Sequence, residues 1–299
     1  MIDVQVIGDH RAKLGESPVW SASDATLYWV DVDGESIQAL DWGSGHMRQW
    51  SMPGRPSCLA LTQTPDVFLV GLGAGLIEFD TRSGHWIEVL ALETTPGVRM
   101  NDGRPDPAGR MWIGSMDERT ETASAFPAGH LFRVDNDGTP TAVIDGVATS
   151  NGLAFSPDAR TMYWTDTSEQ MIWAFDYDVD SGVLNSRRPF FDFTPLAGKP
   201  DGACVDVDGC YWVACVYGWS LVRITPDGRL DLTIELPVEK PSMPAFAGPG
   251  LDALVVTSIS TGGRRPAAPG QPAAGGLLML DVGVAGLPEP LAQIDLIAG

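Results

Sequence analysis

Three short polar signatures, Asn101-Asp102-Gly103, Ser150-Asn151-Gly152 and Pro200-Asp201-Gly202, set Asn101, Asn151 and Asp201 at equal intervals along the chain. Each precedes a strand-like segment centred on tryptophan, and Trp112, Trp164 and Trp212 follow their signatures at nearly constant separation. Glu16 stands at the same separation from Trp29, and Ser57 from Val70, so the pattern extends into the N-terminal part. In repeats of this length, equivalent positions meet around one axis. Glu16, Asn101, Asn151 and Asp201 are therefore candidates for one shared site.

Segments rich in aromatic, Val, Leu and Ile residues at Thr26–Val32, Val67–Gly71, Arg110–Gly114, Thr161–Thr165, Cys210–Ala214 and Ala253–Thr257 read as strands. Their centres step by a length close to the roughly 40–50 residues of a four-stranded blade. Each unit opens on a polar-led strand, turns through Asp, Pro and Gly, and continues through the aromatic strand into a third strand such as Ile37–Leu40 or Leu221–Ile224. Helical periodicity is nearly absent. The pattern predicts an all-β fold: a six-bladed β-propeller of four-stranded antiparallel blades around a central channel, as one domain over residues 1–299. The ring needs closing, and Ile2–Ile7 is expected to pair in the last blade with Leu277–Leu280 and Leu291–Leu296. The Ala-, Pro- and Gly-rich stretch Thr261–Gly276 reads as an inserted loop.

A formal charge of −20 argues against nucleic-acid binding, which needs a basic footprint. No apolar run approaches the roughly 18 residues of a membrane span, and no leader pattern precedes Arg11, so a cytoplasmic protein is expected. Cys58, Cys204, Cys210 and Cys215 form no C-x-x-C pair, and reduced, buried thiols are the expectation. Oligomeric state is left open, a monomer included.

The first strand of a propeller blade lines the channel, so the polar residues that open these strands face one another near one mouth. Carboxylates meeting across a narrow pore repel unless a cation sits between them. Glu16, Asn151 and Asp201 offer two carboxylates and an amide oxygen, a set suited to Ca²⁺, Mg²⁺ or Mn²⁺, with Fe²⁺ and Zn²⁺ still open. Three protein ligands leave positions for water and substrate, as in catalytic metal sites. Asn-Gly and Asp-Gly are also ordinary turn formers, and the spacing alone leaves both readings standing. Other catalytic signals are poor. His10, His46, His85 and His130 fall outside the repeat signatures, and Gly71-Leu72-Gly73-Ala74-Gly75-Leu76 lacks the third glycine of a dinucleotide loop. Trp29, Trp112, Trp164 and Trp212 are expected to pack between blades, with Trp219 as a wall at the channel mouth.

Gly15-Glu16-Ser17-Pro18-Val19-Trp20, Arg99-Met100-Asn101-Asp102-Gly103, Asp106-Pro107-Ala108-Gly109-Arg110, Gly114-Ser115-Met116, Ser150-Asn151-Gly152-Leu153 and Pro200-Asp201-Gly202 occur in that order. Together they resemble the SMP-30/gluconolactonase/luciferin-regenerating-enzyme family across essentially the whole chain. The resemblance implies a six-bladed propeller with one divalent metal and metal-dependent hydrolysis of a sugar lactone. It implies Glu16, Asn151 and Asp201 as metal ligands, with Asp201 also the catalytic base, and Arg99 and Asn101 as substrate-binding residues. Some relatives carry a further substrate-binding acid after the Gly114-Ser115-Met116 position. Here Arg119 falls at the counted spot and Glu118 is the substitute. The expected substrate is an aldonolactone. The rivals are a non-enzymatic Ca²⁺-binding regulatory propeller, an interaction scaffold that has no need of Glu16, and a lactonase or esterase for non-sugar substrates. The loops Asp117–His130 and Thr261–Gly276 are expected to shape substrate choice.

Overall fold

The computed structural model describes residues 2–119 and 126–295. Six antiparallel sheets of four strands follow one another along the chain, and their inner strands touch in sequence and close a ring. These inner strands are Gly15–Ser21, Pro56–Leu61, Val98–Pro105, Ser150–Phe155, Lys199–Val205 and Pro241–Ala247, for blades one to six. The fold is the expected six-bladed propeller.

Closure differs in one respect from expectation. Val4–Ile7 pairs antiparallel with Leu277–Asp281 and completes blade six, as the sequence suggests. The segment after Leu291 does not join that blade. Ala292 instead bridges Thr62 of blade two in parallel, and Gln293 donates its backbone N–H to the Gly109 carbonyl. Blade six already holds four strands without it, and Ala292 is buried between blades two and three. Leu296 lies outside the described residues.

The core is divided among the blade interfaces. Six clusters of buried apolar side chains each join neighbouring blades. Aromatic pairs span several of these seams: Tyr28 meets Phe68 at 4.6 Å, Trp112 meets Tyr177 at 6.0 Å, and Trp212 meets Phe246 at 6.4 Å between ring centroids. Trp29, Trp112, Trp164 and Trp212 are all buried, as their repeat positions demand. Each such ring contributes about 1.5–3 kcal/mol or more by leaving water. The four cysteines are buried and unpaired, and burial pushes the Cys215 thiol up to about 11.

Every inner strand carries a β-bulge at the same place. Pairing slips between Glu16 and Val19, Pro56 and Cys58, Met100 and Gly103, Asn151 and Ala154, Pro200 and Ala203, and Pro241 and Pro244. A bulge re-aims the side chains beside it. The Asn-Gly and Asp-Gly signatures are thus strand bulges and not hairpin turns. Gly152 has φ +66°, and a Cβ there would lie 2.4 Å from the Tyr211 hydroxyl. Gly202 has no such twist, but its missing Cβ leaves room for Met243, which would otherwise lie at 2.5 Å.

Gly152→Ala combines left-handed strain with that clash, so a loss of about 2–4 kcal/mol in urea unfolding is expected. Gly43→Ala, where a Cβ meets nothing nearer than 3.8 Å, should stay within about 0.5 kcal/mol of the parent.

Candidate active site in the central channel

The bulges generate two levels of side chains at one end of the channel. The lower level holds Glu16, Ser57, Asn101, Asn151, Asp201 and Ser242, one from each blade. Two positions upstream of each stand Leu14, Arg55, Arg99, Thr149, Lys199 and Lys240, with Arg99 and Lys199 on their strands and the other four immediately before theirs. A cavity of about 630 Å³ opens here. Its floor includes Glu16, Asn101, Asn151 and Asp201, and its walls include Leu14, Arg55, Arg99, Thr149 and Lys199. Ser57 and Ser242 are buried behind that surface. The four residues singled out by spacing therefore do converge.

The floor is electrostatically strained. Burial, then the nearby Asp201 and Asp102 charges, push the Glu16 carboxyl well above the usual range. Burial, then Asp102, does the same to Asp201. The side chains of Glu16 and Asp201 form no ion pair among the described residues, and Glu16 accepts only a 3.3 Å bond from the Ser17 N–H. Asp102 is better served: it accepts the Leu153 N–H at 2.9 Å and is opposed by the buried Arg104 charge.

A directed relay fixes the amides beside these acids. Arg99 has only donors, and its Nη1 bonds Asn101 Oδ1 at 3.2 Å. Asn101 must then present its Nδ2, which donates to Asn151 Oδ1 at 3.1 Å and to the Ser150 carbonyl at 2.9 Å. Asn151 Nδ2 in turn donates to Thr167 Oγ1 at 2.8 Å, and Thr167 donates to the Pro200 carbonyl at 2.9 Å. The chain of donors leaves Asn151 no choice of orientation. Its oxygen faces the channel, with one lone pair taken by Asn101 and one remaining.

This donor set fits a hard divalent cation. Two desolvated carboxylates that form no ion pair among the described residues, Asp201 buried and Glu16 half-buried, with an oriented amide oxygen, are what such an ion requires. Among the described residues no three His, Cys, Asp or Glu side chains cluster for this purpose, so the amide oxygen is needed as the third donor.

Glu118, and not Arg119, faces the cavity. Its Oε1 accepts Arg99 Nε at 2.9 Å and Arg55 Nη1 at 2.6 Å. Burial opposes its ionisation, but the Arg99 hydrogen bond and both guanidinium charges outweigh this and hold it below the usual range. Arg119 turns back to Asp117 at 2.8 Å. Glu121 and the rest of 120–125 lie outside the described residues. Trp219 is exposed and does not line the cavity; its neighbour Tyr217 does, at φ +67°. The sequence reading missed Tyr217, Arg55, Thr149, Thr167 and Lys199. Counting two positions back from each repeat signature finds Arg55, Thr149 and Lys199.

The inserted loop, within 261–276, also reaches the cavity through Gly263, Arg264 and Arg265. Lys240, fully buried, clamps it by donating Nζ to the Gly262 carbonyl at 3.1 Å and the Arg265 carbonyl at 2.6 Å. Glu239 accepts the Ala268 N–H at 2.8 Å and Arg265 Nη2 at 2.7 Å. The loop is a built wall.

Two other places were candidates for chemistry. Ser115, Glu93 and His130 cluster in blade three, but Glu93 takes both the Ser115 hydroxyl (2.5 Å) and His130 Nδ1 (2.9 Å). The histidine is not positioned to accept from the serine, so no nucleophile is activated there. A cavity of about 280 Å³ lies at the opposite ends of the inner strands, lined largely by Pro, Val and aromatic residues. Its charged pair, Arg104 and Glu289, is mutually satisfied at 2.7 Å.

Comparison with known proteins gives the family and the fold. The SMP-30/Gluconolactonase/LRE-like region matches residues 14–260. The chain is 36% identical to an L-arabinolactonase of Azospirillum brasilense, covering 94% of this chain and 93% of that one. It is 34% identical to a 6-deoxy-6-sulfogluconolactonase of Pseudomonas putida, over 93% and 94% of the two chains. Among solved structures, a calcium-binding protein, regucalcin, from Agrobacterium tumefaciens superposes with a TM-score of 0.90 at 28% identity, over 97% of both chains. The chain belongs to the SMP-30/gluconolactonase/LRE-like family.

Proposed function

We propose that this protein is a metal-dependent sugar lactonase that opens an aldonolactone to its aldonic acid. The observation that carries the reading is the Glu16–Asp201 pair: two desolvated carboxylates, neither held in an ion pair among the described residues and Glu16 only weakly offset by the Arg99 charge, share a cavity floor with an oriented amide oxygen. The lactonase names of relatives spanning nearly the whole chain support it. We also read the chain as one cytoplasmic domain; among the described residues no helix is long and apolar enough to cross a membrane.

In this reading Glu16, Asn151 and Asp201 hold one divalent ion. When bound, such an ion polarises the lactone carbonyl and stabilises the negative charge that develops on its oxygen. Asp201 takes a proton from the attacking water as its oxygen bonds the carbonyl carbon. The ring C–O bond then breaks, and Asp201 returns that proton to the departing ring oxygen. Arg99, Asn101 and Glu118 are the substrate-binding residues. Arg99, held by Glu118, the Met100 carbonyl and Asn101, is locked in place to orient the sugar hydroxyls.

A second reading, a Ca²⁺-binding protein without turnover, is favoured by the calcium-binding description of the Agrobacterium tumefaciens structure. It would use the same three ligands. The readings separate when chelated protein is tested with a panel of sugar lactones in a pH-indicator assay. Acid release restored by a divalent ion supports the lactonase, and metal binding with no acid release supports the rival.

Asp201→Asn should keep the fold and lose about 10²–10⁴-fold in kcat, the usual contribution of a positioned base. A raised carboxyl pKa in the folded state favours the protein when protonated. Its stabilising effect is complete below the ordinary carboxylate range and is lost as pH rises through the raised value. Metal-free Asp201→Asn should therefore melt above the metal-free parent at pH 7–8, by roughly a few degrees, with the gap closing on acidification. Equal melting temperatures across that range would count against the buried carboxylate conflict.

Thr167→Val removes the acceptor that orients Asn151, and divalent-ion affinity in calorimetry should fall about 10–100-fold, with recovery in Thr167→Ser. Arg99→Ala should raise KM and lower kcat/KM for lactones by about 10–100-fold while leaving ion affinity within about threefold.

A further inference from the structure

Resting on the lactonase reading, we propose that the substrate carries a second, anionic group, a carboxylate, sulfonate or phosphate, remote from its lactone carbonyl, and that Lys199 binds it. The chain has 19 Lys and Arg residues against 39 acids, yet Arg55, Arg99, Lys199, Arg264 and Arg265 all line this one cavity. A neutral sugar lactone has no need of such a concentration of positive charge.

The cations fall into two groups across the ring. On the side of blades two and three, Arg55 and Arg99 are matched: both bind Glu118, and Arg55 also binds Asp33 at 2.6 Å. That side presents a balanced network suited to hydroxyl groups. On the side of blades five and six stand Lys199, Tyr217 and the loop residues Arg264 and Arg265. Arg265 is held by Glu239 at 2.7 Å and stacks on the Tyr217 ring at 4.6 Å. The Lys199 side chain has no hydrogen-bond or ion-pair partner among the described residues. The floor acids would be matched by the divalent ion, which leaves the Lys199 ammonium as surplus charge facing the cavity.

Position agrees with charge. Lys199 occupies in blade five the place that Arg99 occupies in blade three, two positions upstream of the floor residue on the same strand face. A lactone with its carbonyl at Asp201 and its hydroxyls toward Arg99 and Glu118 would turn its remaining end to the wall of Lys199, Arg264 and Arg265. That wall is fixed by the Lys240 and Glu239 clamps, so an anion meets it without first ordering a loop. Hydrogen bonds to a charged partner in such a setting are worth about tenfold or more in affinity.

The test compares hydrolysis of D-glucono-1,5-lactone with that of its 6-phospho, 6-deoxy-6-sulfo and 6-carboxy (glucaro) counterparts by metal-loaded protein. Binding of gluconate and 6-phosphogluconate is measured in parallel by calorimetry. Expected is a kcat/KM at least tenfold higher for one or more anionic lactones, a ratio that falls toward one in Lys199→Gln and returns in Lys199→Arg. The three anionic arms identify which oxyanion is preferred. A ratio at or below one in the parent, or an unchanged ratio in Lys199→Gln, overturns the anion site while leaving the lactonase reading intact. If no lactone is opened with any divalent ion but 6-phosphogluconate binds at least tenfold tighter than gluconate and loses this in Lys199→Gln, the lactonase reading fails and the anion site stands. Equal binding of the two acids with no turnover overturns both.

Discussion

The repulsion between Glu16 and Asp201 is the constraint around which this channel is organised. Blades one and five each deliver a carboxylate to one floor, where desolvation penalises both charges and Asp102 adds a third nearby. Such an arrangement disfavours folding, and it persists because the rest of the ring over-determines it. Six apolar seams, with tryptophans and tyrosines interlocked between blades, hold the inner strands in register whatever the floor would prefer. Locally unfavourable placement held by a stable surround is the usual physical signature of a working site.

Symmetry supplies the positions and departures from symmetry supply the chemistry. The bulge recurs in all six inner strands, so all six floor positions are aimed alike, yet only two carry acids. Asparagine at 101 and 151 lowers the charge and adds donors and acceptors of fixed direction. Serine at 57 and 242 withdraws from the cavity, and Ser242 is occupied with the Gly15 carbonyl and Thr257. Six acids could not share this floor, and six amides would not hold a cation. The relay from Arg99 through Asn101, Asn151 and Thr167 to the Pro200 carbonyl then ties blades three, four and five together just above the bulges. A lost hydroxyl at Thr167 would be felt at Asn151 through the 2.8 Å bond between them, although Thr167 itself is not among the three ligands.

Much of this was legible in the sequence because repeats make position readable. The even spacing of Asn101, Asn151 and Asp201 announced a shared environment, and the tryptophan strands marked the blade seams. Residues whose roles come from tertiary geometry were not legible. Thr167 lies outside any signature and matters only because the chain turns it toward Asn151. Trp219 looked like the channel wall from its place beside Gly218, but the left-handed backbone at Tyr217 puts that ring in the cavity instead. The segment after Leu291 reads as an apolar strand, yet blade six was complete, and it packs across blades two and three. Counting put Arg119 at the acidic position and left Glu118 as the substitute; the two guanidinium groups waiting in the cavity decide for Glu118, since they attract one and repel the other.

Lys199 and its neighbours also have to be reconciled with a protein of net charge −20. Distance and screening do so. At physiological salt the Debye length is about 8 Å, so acids scattered over the outer strands contribute little inside the channel mouth. Within the cavity the nearest charges dominate, and low-dielectric walls lengthen their reach. The overall field and the local one therefore serve different ligands. The acidic body raises the concentration of divalent cations around the protein, while the cationic wall acts only on a molecule already at the mouth. The product carries a new carboxylate at the floor as well as the remote anion at that wall, so the wall's surplus charge must be great enough to select an anionic substrate and small enough to release a doubly anionic product. One unmatched lysine, with the arginines beside it largely committed to Glu118, Asp33 and Glu239, is a physically sensible compromise between those two demands.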